Sequence, residues 1–556
     1  MDFYVVLCIR TLKNKGFFSG VSKSETVKLI FLFLLYGKRL IKLAIKIILL
    51  IAFFAVMITV GFIYRKKSTD VSGFVLGSRG VGPWLTAFAY GTSYFSAVIF
   101  VGYAGQFGWK FGVASTWVGL GNAFIGSLLA WVILGRRTRI MTQHLGSATM
   151  PQFFEKRFDS KGLKLAASVI IFIFLIPYTA SLYNGLSRLF EMAFDFDYAY
   201  CIAVMAVLTA VYVIAGGYMA TAVNDFIQGI IMLIGIVMII LSVLKINGGF
   251  LGSLDALANV SDPAASTQPG VFASFFGPDP LSLLGVVILT SLGTWGLPQM
   301  VQKFYAIKDE KSVHTGTVIS TVFAVIVAGG CYFLGGFGRL FNIDVAKDGF
   351  DAVVPAMLSH LSPFVIGVTL ILVLSASMST LSSLVLTSAS TLTLDFIDPI
   401  IYKKNSEKKN LLTIRIFIAV FIVISAIIAV IQYKYKVAFI AQFMGLSWGA
   451  LAGSFLGPFL VSLYWKKVTK VSCWVSFIWG SGIMILNMVA KNIFPAILQS
   501  PINCGVLAMV GSLIIVPLVS LATRKLSSEY VDNIFSCYNK KVTVPVTETL
   551  SNGEEG

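Results

Sequence analysis

The sequence is short of charge, and shortest of negative charge. Only 12% of its 556 residues are charged, with 25 acidic side chains against 43 basic ones. Soluble globular chains carry about twice that charged fraction, and this one is 57% hydrophobic, so it reads as an integral membrane chain rather than a soluble enzyme. The six cysteines (Cys8, Cys201, Cys331, Cys473, Cys504, Cys537) show no CxxC spacing. That argues against a disulfide framework or a thiolate metal site, and leaves small apolar filler as their role. His144, His314 and His360 are too far apart in sequence to suggest a zinc cluster. No GxxxxGK[ST] motif is present, so ATP is not the obvious energy source. No nucleophile, base and orienting group stand together, and the chain is not read as an enzyme. The longest polar stretches are a loop near Asn247–Pro280 and a tail after Arg524.

What is abundant is apolar sequence in runs of membrane length. A helix needs about 20 apolar residues to cross the hydrocarbon core. About thirteen such spans are expected, near 43–64, 83–108, 112–135, 164–193, 198–216, 220–244, 281–301, 315–338, 363–394, 411–432, 437–465, 471–490 and 504–523. The basic residues fall in every second loop. They cluster at Arg65–Lys67 with Arg79, at 136–164, at Lys303, Lys308 and Lys311, at 403–415, at 466–470, and at Arg524–Lys525. Lys and Arg accumulate on the cytoplasmic side, so the net charge of +18 is topology and requires no nucleic acid. A plasma-membrane protein with a cytoplasmic C-terminus is expected.

The first forty residues do not fit this alternation, because nine basic residues precede or edge the first span. The run "LIFLFLLYG" is too brief to cross a bilayer. It suits a signal-peptide core, an interfacial helix, or a segment upstream of a true start near residue 40.

Two spans contain breaks. "PWLTAFAYGTSYFSAVIFVGYAGQFG" is interrupted at "YGTSYFS", and "LSLLGVVILTSLGTWGLPQMV" at "TSLGTWGLP". Gly and small polar residues invite unwinding, and Pro298 lacks an N–H. In lipid, freed carbonyls persist only where they are buried or line a cavity. Breaks five spans apart suit a five-plus-five inverted repeat framing an ion and solute site, or kinks in ordinary Gly-rich packing.

The ninth span carries "LSASMSTLSSLVLTSAS", nine hydroxyls between Leu374 and Ser390. Ala376, Ser379, Thr380 and Ser383 follow i, i+3, i+4, i+7 and share one face, with Ser382 beside them. A single membrane hydroxyl satisfies itself on the i−4 carbonyl. A stripe of them, with freed carbonyls nearby, supplies hard neutral oxygens suited to an alkali cation. Asp225, in "AGGYMATAVNDFIQG", is the one carboxylate well inside an apolar run; it reads either as an intramembrane acid that calls for a cationic partner or as an interfacial Asp near a helix N-terminus, stabilised by the dipole.

These stretches resemble the sodium:solute symporter family, in its proline and pantothenate branch. The likeness runs from about Phe74 to Lys470 and is carried by "FVLGSRGVGPWLTAFAYGTSYFS", "AGGYMATAVNDFIQG", "GTWGLPQMVQKFYAIKDEKSVH" and "SASMSTLSS". The resemblance implies alternating access, an external N-terminus and sodium as coupling ion, with no organic cofactor. It implies a main sodium site from the backbone carbonyls of Thr92, Phe95 and Ala376 with the side chains of Ser379 and Thr380. It also implies a second site, present in some members, from Asp225, Ser379, Ser382 and Ser383, which points to two sodium ions per solute. For the solute it points to Tyr178 and Pro298, with Tyr94, Thr290, Thr294 and Trp295 at neighbouring positions. Tyr94 stands where the family has Asp, and Thr290 and Thr294 stand where Trp and Tyr are expected, which puts proline in doubt.

The fold expected is all-α integral membrane, about thirteen helices with a five-plus-five inverted-repeat core and two broken helices. Its parts are a basic extension (1–42), a first span (43–64), repeats over 83–244 and 281–465, two further spans (471–523) and a tail (524–556). The function expected is sodium-coupled symport of a small polar organic solute, an amino acid or organic acid. A transporter-like sensor is the alternative, disfavoured by a tail too short for an output domain. The partners expected are sodium ions, the solute and the lipid bilayer, with no obligate protein partner.

Overall fold

The computed structural model describes residues 23–64, 70–194, 197–263, 265–402, 406–435 and 440–539. It is helical, with no strand among the described residues. The helix α1 runs Lys23–Tyr64 without interruption. The part of it long and apolar enough to cross a bilayer is Lys46–Tyr64, and the run at 29–37 is helical upstream of that stretch; residues 1–22, with Cys8, lie outside the described residues.

Next comes α2, Pro83–Tyr94, which ends as expected inside "YGTSYFS": Phe95 is extended at φ −101° and ψ 90°. Helix resumes at α3 (98–111) and turns at Gly112 into α4 (112–144). Gly112 has φ +61°, and a Cβ there would lie 2.0 Å from the Phe272 carbonyl oxygen, so no other residue fits. Two long helices follow, α5 (Lys161–Phe194) and α6 (Tyr198–Ile246). The latter holds two expected spans joined at Gly217, where φ is +59° and the neighbouring Phe74 ring leaves no room for a side chain.

The second break is a bent pair, α7 (Pro280–Gly296) and α8 (Pro298–Ala306), at 48° to each other. Leu297 is extended and Pro298 opens the new helix. Further elements include α9 (Glu310–Leu340), α10 (Pro363–Ile401), α11 (Glu407–Tyr435), α12 (Ile440–Tyr464), α13 (Lys470–Val489), α14 (Pro501–Ala522) and a short α15 (Ser528–Phe535). Ten helical runs among the described residues are long and apolar enough to cross a bilayer, eleven counting the bent pair. Each of the thirteen expected spans has a helical counterpart. The shortfall comes from the broken span at 83–108, which fuses into the run Val98–His144, and from 198–216, whose apolar part stops at Val211.

The hydroxyl-rich helix is central: every residue from Leu372 to Thr391 is buried. It packs on α6, α5, α1 and α2. The basic loops meet at one end of the bundle. Arg79 donates to the carbonyls of Tyr305 (3.1 Å), Thr142 (3.3 Å) and Ser147 (2.5 Å). Arg139 donates to the Ile307 and Lys308 carbonyls, and Arg157 to those of Ser462 and Trp465. Tyr530 of α15 donates to the Lys156 carbonyl at 2.6 Å. At the opposite end Arg339 pairs with Asp262 at 2.9 Å.

Candidate ion and solute site

Helix α2 ends against the middle of α10, and this is where oxygen ligands gather. The Thr380 hydroxyl lies 3.3 Å from the Thr92 carbonyl oxygen, 3.2 Å from that of Ser93 and 3.0 Å from that of Ala376. Ser379 Oγ lies 3.4 Å from the same Ala376 oxygen. The first group is free because the helix stops at Tyr94; the last belongs to the hydroxyl face itself. The break and the stripe meet at Thr380, which contacts Thr92 and Ala376, while Ser379 contacts Ala376 and Phe95 follows at the helix end. Neutral oxygens this close, all buried, suit a small hard cation.

The expected solute residues divide. The Tyr94 hydroxyl donates to the Thr290 carbonyl at 2.5 Å, and its ring fits because residue 126 is Gly: a Cβ there would lie 2.2 Å from the Tyr94 oxygen. Tyr94 stacks on Phe95 at 4.3 Å and approaches Trp448 at 6.1 Å. Tyr178 meets the same Trp448 edge-on at 5.9 Å. By contrast Thr290 bonds its own Val286 carbonyl, Thr294 bonds Ser291 and Gly126, and Trp295 donates to Ile125. Those three side chains serve helix packing.

Sequence reasoning missed Trp448, Ser96 and Gln299. Both amide atoms of Gln299 are buried with no hydrogen-bond partner, and the Tyr178 hydroxyl, the Trp448 indole N–H and the Ser96 hydroxyl face one another without a well-aligned hydrogen bond. Buried polar atoms are normally satisfied, so such unpaired groups mark places for a ligand or water. Gln299 directly follows Pro298 at the start of α8, and that signal was legible.

Beyond this centre the basic end is stitched shut. Arg79 bridges three backbone segments there. Asp395 accepts from Thr149 (2.6 Å) and Gln152 (2.9 Å), and Thr387 donates to Gln302 at 2.6 Å. The opposite end carries a vestibule of about 870 Å³, lined by Arg188, Asp351 and Tyr433 among others. On its wall the Asn184 amide donates to Gln432.

A family model described as the sodium:solute symporter family matches residues 74–480. The chain belongs to the sodium:solute symporter family. Among similar members, the osmoregulated proline transporter of Bacillus subtilis is 28% identical over 442 residues, 78% of this chain and 87% of that protein. A sodium/proline symporter of Staphylococcus aureus is 28% identical over 453 residues, 79% of this chain and 85% of its own length. A solved structure of a Na+-coupled sialic acid symporter, substrate-bound and outward-open, shares the fold with a TM-score of 0.67 at 17% identity, covering 87% of this chain and 99% of that one. This member of the family is thus a multi-pass, sodium-coupled symporter, and the sensor alternative falls away.

The second ion set holds a surprise. Lys303, read from the sequence as a residue of a basic loop, is only 2% exposed. Its ammonium donates to Ser383 Oγ at 2.9 Å, stands 3.7 Å from Asp225 Oδ2 and lies over the Tyr218 ring at 5.2 Å. The loop assignment fails because the chain stays helical to Ala306 after a 48° bend, which keeps position 303 inside the bundle; Lys308 and Lys311 lie past the end of α8 on the exposed side. Ser383 also sits 2.9 Å from Ser93 Oγ, and Ser382 donates to the Ser379 carbonyl at 2.8 Å. Asp225 thus has a fixed cation as its neighbour.

Proposed function

We propose that the chain moves a small solute with a carboxylate and a compact apolar body, an amino acid or organic acid, together with one sodium ion held by Thr92, Phe95, Ala376, Ser379 and Thr380. The observation that carries the ion reading is the convergence of the Thr380 hydroxyl with the Thr92 and Ala376 oxygens at 3.3 and 3.0 Å. The names of the similar proline carriers support an amino acid. So do the aromatic faces of Tyr94, Tyr178 and Trp448, which suit an apolar ring or chain. The start of α8, with Gln299 unpaired, suits a carboxylate, since half-helix N-termini attract anions.

In this reading the set around Asp225 does not take a second sodium. The Lys303 ammonium holds that place, and a further cation beside it faces like charge in a buried setting. The plasma membrane is the location, with the basic end and the C-terminus cytoplasmic, so the vestibule faces outward and the Arg79 closure inward. The inverted repeats are 83–244 and 281–465, each opening on a broken span.

Uptake into proteoliposomes tests the proposal. A panel of radiolabelled amino acids and organic acids is offered with an inward sodium gradient or with choline. A compact amino acid or monocarboxylate accumulating only with sodium is expected; sodium-dependent uptake confined to sugars or nucleosides would overturn the solute class.

A further inference from the structure

On the membrane-facing side of α6 and α11 lies an apolar groove of about 470 Å³, lined by Val207, Ala210, Val211, Ile214, Ala215 and Arg415. Its wall is exposed: Val207 is 62% accessible. The two alanines lower the floor between larger neighbours. An open groove in a bilayer fills with an acyl chain, but only one charged group faces it. Arg415 makes no hydrogen bond or ion pair among the described residues. Its Nε is buried without a partner, and its guanidinium lies 5.5 Å from the Phe74 ring. A buried unpaired donor carries a desolvation cost that an acceptor relieves, and the ring beneath it helps fix the plane of the fork.

The position selects the acceptor. Lys408 and Lys409 are exposed in the first turn of α11 at the basic end, and Arg415 lies seven residues beyond Lys408, about 10 Å along the axis and on the same face. The groove follows α6 from Val207 to Ala215, and its charged end lies beside Phe74, which packs on Gly217. The charge thus sits at the end of the groove nearer the basic loops, with the aliphatic wall running away from it. We propose that this groove holds one anionic phospholipid of the leaflet on the basic side, its phosphate on the Arg415 guanidinium and an acyl chain along Val207, Val211 and Ile214. Guanidinium matches phosphate oxygens in a bidentate fork, and Lys408 adds attraction for an anionic headgroup over a zwitterionic one. The site is separate from the ion and solute centre.

Native mass spectrometry of the purified full chain tests this, with phosphatidylglycerol and phosphatidylcholine of equal acyl length. Wild-type protein should retain one phosphatidylglycerol with about tenfold preference, the order expected for a charge-assisted contact. Arg415→Gln should remove the preference, Arg415→Lys should keep part of it, and Lys467→Gln, an exposed charge elsewhere at the basic end, should leave it intact. Val211→Trp fills the groove and keeps the charge; it should also lose the bound lipid. Soluble glycerol phosphate should not compete. Equal retention of the two lipids by wild type, an unaltered preference in Arg415→Gln, undiminished binding in Val211→Trp, or displacement by glycerol phosphate at lipid-like concentration would each overturn the proposal.

Discussion

Lys303 on α8 and Asp225 on α6 face each other at 3.7 Å, both almost fully enclosed. Breaking a buried pair leaves an uncompensated charge, at a cost of about 3–5 kcal/mol. Asp225→Asn and Lys303→Met should therefore each lower the unfolding temperature sharply. The double variant should recover most of the loss, giving a strong coupling energy in a double-mutant cycle. Additive losses in thermal unfolding of the detergent-solubilised protein would show that the pair is not coupled.

The same pair sets the coupling number. Wild type should move one sodium per solute, read from reversal potentials in proteoliposomes. Lys303→Gln keeps a polar side chain, removes the fixed charge and leaves Asp225, Ser382 and Ser383 open to an ion. Its stoichiometry should rise toward two, with a more sigmoidal sodium dependence. A wild-type value of two would mean the ammonium does not stand in for an ion.

Thr380→Ala removes a hydroxyl that touches three backbone oxygens. The sodium concentration for half-maximal uptake should rise about tenfold, the scale of a contact to a charged group, while Thr380→Ser should stay within about threefold on the same scale. A solute KM that shifts as much as the sodium midpoint under saturating sodium would place Thr380 in the solute site instead.

Trp448→Phe keeps the ring that Tyr94 and Tyr178 pack against and deletes the N–H that faces the Tyr178 hydroxyl. Stability should change by no more than about 1 kcal/mol, the scale of one internal hydrogen bond. Solute KM should rise several-fold with the sodium midpoint unchanged. A large drop in unfolding temperature with normal KM would make Trp448 a packing residue only.

Arg79→Gln removes a cation that ties Tyr305, Thr142 and Ser147 together across the basic end. The closure should loosen, so a cysteine placed at Gln302 should react faster with a membrane-impermeant thiol reagent from the basic side. In right-side-out cells the same reagent should label Gln268→Cys and spare Lys408→Cys, both exposed positions at opposite ends. The reverse pattern would invert the assigned orientation.

What the sequence determined by itself was local. Apolar runs of bilayer length, Gly-rich interruptions and a hydroxyl stripe are periodic along one chain segment, and each resolves into a helix, a break or a face without reference to the rest. Alternating basic loops likewise foretold which ends meet, because Lys and Arg cannot cross the bilayer cheaply. Tertiary structure decided what the bends bring together. Lys303 looked like a loop residue because its neighbours 308 and 311 are; the chain stays helical to Ala306 past a 48° bend at Leu297, which keeps it beside Asp225. Thr290 and Thr294 stood at solute positions yet bond their own helix or its neighbour, while Trp448, within an unremarkable apolar span, reaches Tyr94 and Tyr178. Side-chain direction at a site between helices depends on how those helices cross, and a hydrophobic pattern records which face is buried but not what lies opposite.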